Sequence, residues 1–413
     1  MPTIKPINIT PFVKKFQDYF PVAYYRDSKS YYSKKTSSNC YLIANNQIVQ
    51  KNKKPIQNFL KTNNIKLLIP LKEKRDTVKN LLSYAEKRLP PASILIINDE
   101  STENVKKTIL SFKKTLVIDK EEILKILDWR RLLPILNLKT IPKGKGTTVM
   151  TGYLFMSLFN QNLNPTNQWI FQTDADIKNP EKFKPLEYLT YGILSFPQAL
   201  QIKIAQGGRN NEAHMAVRSS LIMLKEINKI IPSPTGKKLS QRAVDLFYKL
   251  TKYKWILGGT FALPYSIAMQ RPFATGYLEE TLTCAFVEDL AQQKQENTVQ
   301  ITNPHPCQDS PNDFKKENII VQTTANFLLT LLLTIKPVNE WCLEDIAWIN
   351  KNLLSTEKPI ALIPPAKNQH APFVEKIPQE RIFPSIKMLF ENKFILESAA
   401  KKLKEKYNFW RFG

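Results

Sequence analysis

Short apolar segments alternate with amphipathic ones between residues 65 and 118, and this alternation limits the fold more than any other feature of the chain. Residues 65–70, 94–97 and 116–118 have the length and composition of buried strands. Residues 77–88, between the first two runs, carry apolar side chains at helical spacing. Strands and helices in this order predict βαβ units, and therefore an α/β fold with a mostly parallel sheet.

A further apolar run, which begins at Trp169, leads into Asp174 and Asp176. In an extended chain, side chains two residues apart point to the same face, so the two carboxylates are expected to project together. Open α/β sheets bind ligands at strand ends, and a carboxylate pair there suits a divalent cation that carries a diphosphate. The structural alternative is that Asp174 ends the strand and Asp176 caps the segment that follows.

Two further segments carry groups suited to a nucleotide. Asp99 ends the second strand, where a carboxylate can bind the ribose or the base. Residues 143–146, Lys-Gly-Lys-Gly, offer close backbone approach and ammonium groups such as Lys145 for phosphate, ahead of a helix expected over residues 148–159. They do not have the Walker A spacing. The structural alternatives are a turn or cap residue for Asp99 and a solvated basic turn for residues 143–146.

The remaining candidates lie in the second half of the chain. His305 stands between two prolines that fix its backbone, and neutral imidazole can join carboxylates around Mg²⁺ or Mn²⁺. Glu279 and Glu280 are expected at the start of a helix over residues 278–293, where acidic side chains are also favoured for structural reasons. Arg209 is suited to clamping a carboxylate or phosphate, with an ordinary surface charge as the alternative.

Lysine gives the 413-residue chain a formal net charge of +24. That surplus suits nucleic acid, an anionic membrane surface or an anionic small substrate. No RNP, zinc-finger or basic-zipper pattern is present, so nucleic acid is set aside as a partner. The sequence has no apolar run of the roughly 18 residues that span a bilayer, no apolar signal segment, and widely spaced cysteines. We therefore expect a cytoplasmic protein with reduced thiols, or an effector secreted without a signal peptide.

Changes of pattern divide the chain into three parts. Residues 1–64 are polar, aromatic and irregular and are expected to form an N-terminal extension. Residues 65–310 hold the alternating pattern, and residues 311–413 are expected to form a C-terminal helical region. The helices expected in that region cover residues 319–335, 340–354 and 387–404.

The order of these segments resembles that of GT-A glycosyltransferases, and more narrowly that of the retaining mannosylglycerate synthases and glucosyl-3-phosphoglycerate synthases. The similarity covers about residues 65–335 and is greatest from Gly-Lys-Gly at 144–146 to Asp-Ala-Asp at 174–176. An apolar strand ending in Leu-Gly-Gly at 257–259, then Gly-Tyr-x-Glu-Glu at 276–280, and then the histidine complete the order. The resemblance implies a GT-A fold and transfer of a hexose from a nucleotide-sugar donor with retention of configuration.

Carried over residue by residue, the resemblance places Asp176 and His305 on a Mg²⁺ or Mn²⁺ ion. Glu280 would stand near the reacting sugar, and the backbone carbonyl of Leu257 would approach the reacting centre. The residues implied to contact the donor are Pro70, Asp99, Lys145 and Asp174. The residues implied to contact the acceptor are Arg209, Gly258 and Gly259.

Two positions depart from the family pattern and leave the substrates open. Lys74, with Glu73 beside it, stands where such enzymes often carry glutamate after the first strand, and Thr260 stands where relatives commonly have glutamate after the double glycine. The resemblance implies GDP-mannose or UDP-glucose as the donor, and glycerate, phosphoglycerate or, alternatively, a protein as the acceptor. A non-catalytic nucleotide-sugar binder is disfavoured by the metal-site residues. Contact with an anionic membrane and homo-oligomerisation also stay open.

Overall fold

The computed structural model describes residues 41–44, 46–62, 65–160, 168–205, 246, 250, 253, 256, 258–276, 278–303, 319–320, 323–324, 327, 331, 336–354 and 380–410. These residues form an α/β fold built on an 8-stranded sheet, with a separate 2-stranded ribbon beside it. The predicted fold class is therefore confirmed.

The strands are β1 (Tyr41–Ile43), β2 (Ile65–Leu71), β3 (Ile94–Asn98), β4 (Thr115–Asp119), β5 (Trp169–Gln172), β6 (Gln201–Ala205), β7 (Phe261–Pro264), β8 (Phe273–Ala274), β9 (Thr298–Thr302) and β10 (Ile382–Phe383). In the large sheet they lie in the order β1-β9-β6-β7-β5-β2-β3-β4. Neighbouring strands are parallel except where β7 runs antiparallel to β5 and β6. The ribbon pairs β8 with β10 in the antiparallel sense.

The helices are α1 (Asn46–Lys51), α2 (Lys53–Leu60), α3 (Arg75–Glu86), α4 (Glu103–Leu110), α5 (Lys120–Leu124), α6 (Trp129–Leu136), α7 (Lys145–Phe159), α8 (Pro180–Phe183), α9 (Pro185–Ser195), α10 (Tyr265–Gln270), α11 (Glu279–Lys294), α12 (Leu343–Asn352), α13 (Ile386–Glu391) and α14 (Glu397–Lys406). The helices expected over residues 77–88, 148–159 and 278–293 correspond to α3, α7 and α11.

Helices cover both faces of the sheet. Within β2, Leu67 and Ile69 point into one apolar layer with α3, α4 and α9, whereas Leu68 points into the other layer with α7 and α11. A strand covered on both faces needs apolar side chains at successive positions, which explains the continuous apolar runs in the sequence.

The chain reverses its direction across the sheet between β2 and β5. From β2 it proceeds to β3 and β4 on one side, and it then returns to β5 on the other side of β2. Such a switch point opens a crevice at the carboxyl ends of the two strands, where α/β proteins bind ligands.

Two sequence expectations are wrong in detail. The strand expected before the double glycine lies after it, as β7, and Ile256 is in a bend. Because β7 is antiparallel, its first residue lies at the edge of the sheet where the parallel strands end. Strand β5 ends at Gln172, so Asp174 and Asp176 lie in the following turn and not on one face of a strand.

The chain termini contribute to the same architecture. Strand β1 pairs with β9 at one edge of the sheet, and β10 from the C-terminal part pairs with β8. The single helix expected over residues 387–404 is interrupted at Lys393, whose φ of 54° is left-handed, so that Ile395 can bridge to Leu127. The limits of the three parts of the chain stay a prediction.

Among the described helices, none has the length and apolar character required to cross a bilayer.

Candidate active site

Groups of both signs face each other across the crevice at the switch point. Asp176, in the turn after β5, has its Oδ2 atom 3.9 Å from Nζ of Lys74, which lies between β2 and α3. Burial raises the pKa of the Asp176 carboxyl, and the charge of Asp174 raises it further, although Lys145 and Lys74 oppose both effects. Additional positive charge at this place would therefore stabilise the ionised carboxylate of Asp176.

Lys145 connects the two acidic segments of the site. Its Nζ atom lies 2.5 Å from Asp174 Oδ1 and 2.5 Å from Glu280 Oε1. Burial alone would lower the pKa of this ammonium, but the two carboxylates outweigh that effect and raise the pKa above its ordinary value. Lys145 is the first residue of α7 and Glu280 lies in the first turn of α11, so one ion-pair network fixes the starts of two helices.

The glycines around Lys145 permit close packing against β8. Gly144 has a φ of 119°, and a Cβ atom on it would lie 2.9 Å from the carbonyl oxygen of Thr275. A Cβ atom on Gly146 would overlap the carbonyl of Ala274. The Lys-Gly-Lys-Gly motif thus seats α7 on the segment that leads to α11. This close backbone approach was expected toward phosphate, and the structure places it toward another part of the chain.

Asp99 is held by two side chains that are not among the site residues predicted from the sequence. Lys120, at the start of α5, forms an ion pair with Asp99 Oδ1, and the hydroxyl of Thr148 donates to Asp99 Oδ2 over 3.0 Å. All three side chains are buried. A role for Asp99 toward a nucleoside stays a prediction. The position of Lys120 directly after a strand gave little indication of this contact, because lysines in such positions usually lie in solvent.

The adjacent acidic residues of α11 point to different surroundings. Glu279 is fully buried and pairs with Arg271, which lies 4.3 Å from the centre of the Phe273 ring. Burial raises the pKa of Glu279 despite this partner. Glu280 instead reaches Lys145 and keeps 11% of its side chain exposed. Glu280 thus lies beside Lys145, whereas Glu279 belongs to the core, and a role of Glu280 in the reaction stays a prediction.

The double glycine packs against the aspartate pair. A Cβ atom on Gly259 would overlap the carboxylate of Asp174, so only glycine permits this approach. The carbonyl of Gly258 accepts a hydrogen bond of 2.5 Å from Nζ of Lys203 in β6. Lys203 was missed because Gln201 and Lys203 alternate with apolar residues, a pattern that is typical of a strand with one solvated face.

Some predicted site residues lie apart from this cluster or outside the described residues. Pro70 lies within β2, in register with Ile97 of β3. Leu257, Arg209 and His305 lie outside the described residues. Among the residues that are described, no group of three His, Cys, Asp or Glu side chains is arranged to hold a metal ion.

Neither a protein-family model nor a curated protein sequence matches the chain. Similar folds occur among solved structures of glucosyl-3-phosphoglycerate synthase from Mycobacterium tuberculosis. The complex with phosphoglyceric acid has 14% identity and a TM-score of 0.48, and the match covers 68% of this chain and 83% of that chain. A second structure of this synthase has 13% identity and a TM-score of 0.49, covering 71% and 88%. The complex with Mn²⁺ and UDP-glucose has 14% identity and a TM-score of 0.47, covering 68% and 82%. At these values the similarity concerns the overall path of the chain.

Proposed function

We propose that the protein is a metal-dependent glycosyltransferase that moves a hexose from a nucleotide-sugar to a small anionic acceptor. The observation that carries this proposal is the contact of Lys145 with both Asp174 and Glu280 beside the switch point. One ammonium is within hydrogen-bond reach of a carboxylate from a strand end and a carboxylate from a helix start. This is also the edge at which α/β sheets bind nucleotides.

The carboxylate of Asp176 suits Mg²⁺ or Mn²⁺, because both ions prefer hard oxygen ligands. The raised pKa of Asp176 supports this fit, since added positive charge would stabilise the ionised carboxylate. His305 is the other proposed metal ligand, and Asp174 would contact the donor. A cation held by these residues would neutralise the charge that develops on the diphosphate as the sugar leaves.

Lysines of the site are suited to the diphosphate of the donor. An ammonium group has three N–H donors, and Lys145 uses two of them on Asp174 and Glu280. The third is free in this proposal to reach a phosphate oxygen. Lys74 would serve the same diphosphate from the β2 side, in place of the glutamate that the family often carries. Asp99 would accept a hydrogen bond from the nucleoside through a remaining lone pair.

Glu280 would act at the reacting centre. Glycosyl transfer passes through an oxocarbenium-like transition state, which a nearby carboxylate and the carbonyl of Leu257 would stabilise. Retention of configuration follows when the acceptor attacks on the face that the diphosphate leaves. The departing phosphate oxygen can then take the proton of the acceptor hydroxyl, so that no separate base is required. Arg209 and the double glycine would bind the acceptor.

A ligand panel tests the proposal. UDP-glucose and GDP-mannose are added with Mn²⁺, and unfolding temperature is measured, because a ligand that binds only the native state raises it. At a concentration of about 100 Kd the stabilisation is roughly 2.7 kcal/mol. Transfer to glycerate and phosphoglycerate, with the anomeric configuration determined by NMR, then identifies the reaction.

The matched variants are Asp176→Asn and Asp119→Asn, both at the carboxyl edge of the sheet. Asp119 lies in β4, two strands away from the switch point, and we expect its variant to keep the Mn²⁺-dependent shift. The Asp176 variant should lose that shift. An unchanged shift in the Asp176 variant, or no shift for any nucleotide-sugar with the unaltered protein, would contradict the proposal.

A further inference from the structure

A buried lysine outside the proposed chemistry donates a hydrogen bond to the double-glycine segment, residues 258–259. Lys203 is 1% exposed, and its Nζ atom donates to the Gly258 carbonyl over 2.5 Å. The same ammonium lies 5.4 Å from the centre of the Phe261 ring. Among the described residues, no carboxylate lies within ion-pair distance of Lys203.

The burial of this ammonium lowers the stability of the folded protein. A buried ammonium that is paired with a neutral carbonyl loses hydration that one hydrogen bond restores only in part. An apolar side chain of similar length would avoid that cost. The stability of the core therefore does not account for Lys203, which donates to a glycine beside the candidate site.

The hydrogen bond determines how one peptide group is oriented. The C=O of Gly258 and the N–H of Gly259 belong to the same planar trans peptide, so they point in opposite directions. With the carbonyl directed at Lys203, the N–H of Gly259 must point away from it. Within the described residues, no acceptor takes that N–H.

The same peptide is in contact with the ion-pair network. The Cα of Gly259 packs so closely against Asp174 that a Cβ atom would overlap its carboxylate. Asp174 in turn contacts Lys145. A rotation of the peptide would therefore move the surface against which Asp174 rests. A positive charge at the carbonyl also polarises the peptide and strengthens its N–H as a donor.

We propose that Lys203 is a positioning residue that fixes the Gly258–Gly259 peptide, keeping Gly259 against Asp174 and its N–H directed to an oxygen of the bound acceptor. The identity of that ligand rests on the proposed function, whereas the orientation of the peptide does not. Lys203 itself touches neither substrate nor metal in this proposal.

Lys66 offers a matched control for the test. It is also 1% exposed, and its Nζ donates to a backbone carbonyl, that of Ala92, over 2.9 Å. Its acceptor lies before β3, at the edge of the sheet opposite the candidate site. The variants are Lys203→Met, Lys203→Arg and Lys66→Met, each first checked for cooperative thermal unfolding.

The first measurement is amide hydrogen exchange in the full-length protein without ligand. We expect Lys203→Met to increase exchange in peptides covering residues 258–264, Lys66→Met to leave them unchanged, and Lys203→Arg to restore part of the protection. Equal exchange in these peptides for Lys203→Met and the unaltered protein would overturn the inference.

The second measurement is steady-state transfer with Mn²⁺, a nucleotide-sugar and phosphoglycerate. Misplacing a binding group by about 1 Å can cost roughly a hundredfold in rate, so we expect Lys203→Met to lose at least about tenfold in kcat/KM for the acceptor. The KM for the donor and all constants of Lys66→Met should stay near those of the unaltered protein. Equal losses in the two Met variants would overturn the inference. The unaltered protein could show no transfer while Lys203→Met still increases hydrogen exchange in residues 258–264. In that case the proposed function fails, and the positioning of the Gly258–Gly259 peptide by Lys203 is supported.

Discussion

Lys145 Nζ lies 2.5 Å from Glu280 Oε1, although 135 residues separate them in the chain. The contact joins the first residue of α7 to the first turn of α11 and brings Glu280 beside the turn that carries Asp174. Neither helix could place its charged group there alone. The glycines of residues 144–146 make the contact geometrically accessible, since they let α7 begin directly on β8.

Removing the bridging ammonium should impair function more than folding. In Lys145→Met, two partly buried carboxylates lose their shared cation and repel each other, so we expect turnover to fall by roughly a hundredfold. Lys143→Met is the control, because Lys143 is exposed and, within the part of the chain that the structure describes, pairs only with Glu100 at the surface. Measuring the turnover and the unfolding temperature of both variants tests whether Lys145→Met loses activity more than stability. Similar turnover in the two would refute the assigned role of Lys145.

Adjacent substitutions in α11 should separate stability from activity. Glu279→Gln leaves the fully buried guanidinium of Arg271 without its carboxylate, which is expected to cost about 3–5 kcal/mol of unfolding free energy. Glu280→Gln should change that free energy little and reduce turnover strongly. Urea unfolding and steady-state assays of both variants measure the two effects. The reverse pattern, with Glu280→Gln less stable and Glu279→Gln less active, would contradict the structure.

Two helical glycines should differ in their tolerance of alanine. A Cβ atom at Gly146 meets the backbone carbonyl of Ala274, which cannot move without displacing β8. The three atoms nearest to a Cβ atom at Gly192 belong to the side chains of Ile301 and Ile202, which can yield more readily than a backbone carbonyl. We expect Gly192→Ala to cost about 1–3 kcal/mol and Gly146→Ala to cost more. Chemical denaturation measures both free energies. An equal or smaller loss for Gly146→Ala would show that α7 is not seated on β8 in this way.

Stability should increase with pH in a manner that depends on Lys66. Burial lowers the pKa of this lysine from 10.5 to about 8. Between these two pH values the unfolded chain binds a proton that the folded protein does not, so raising the pH favours the folded state. The free energy of unfolding should increase by about 3 kcal/mol in total as the pH rises from about 8 towards 10.5.

The comparison with Lys66→Met isolates this contribution. The variant lacks the titrating group, so its unfolding free energy should rise less with pH than that of the unaltered protein, and it should be the more stable of the two at pH 7. Urea unfolding from pH 7 to 10 provides both curves. Parallel curves would show that the ammonium of Lys66 is not desolvated by burial.

The local pattern of apolar residues was sufficient to predict the fold class. The strands near residues 65, 94 and 169 are buried on both faces, so their apolar runs are continuous and easily recognised. Lys203 was not recognised as a residue of the site, because Gln201 and Lys203 alternate with apolar residues as in a strand with one solvated face, although both are buried. The strand predicted before the double glycine lies after it, as β7. The local sequence around Ile256 does not distinguish a strand from a bend.

The sequence alone determined which chemical groups are available: a carboxylate pair after a strand, a basic glycine-rich turn, two acidic residues at a helix start and a double glycine. Only the tertiary structure decided which of them meet. Glu279 and Glu280 are neighbours with the same charge, and the direction of α11 sends one into the core and the other to Lys145. Asp174 and Asp176 approach each other through a turn and not through the period of a strand. Contacts between residues far apart in sequence depend on how helices and strands pack, and that packing leaves no local pattern in the chain.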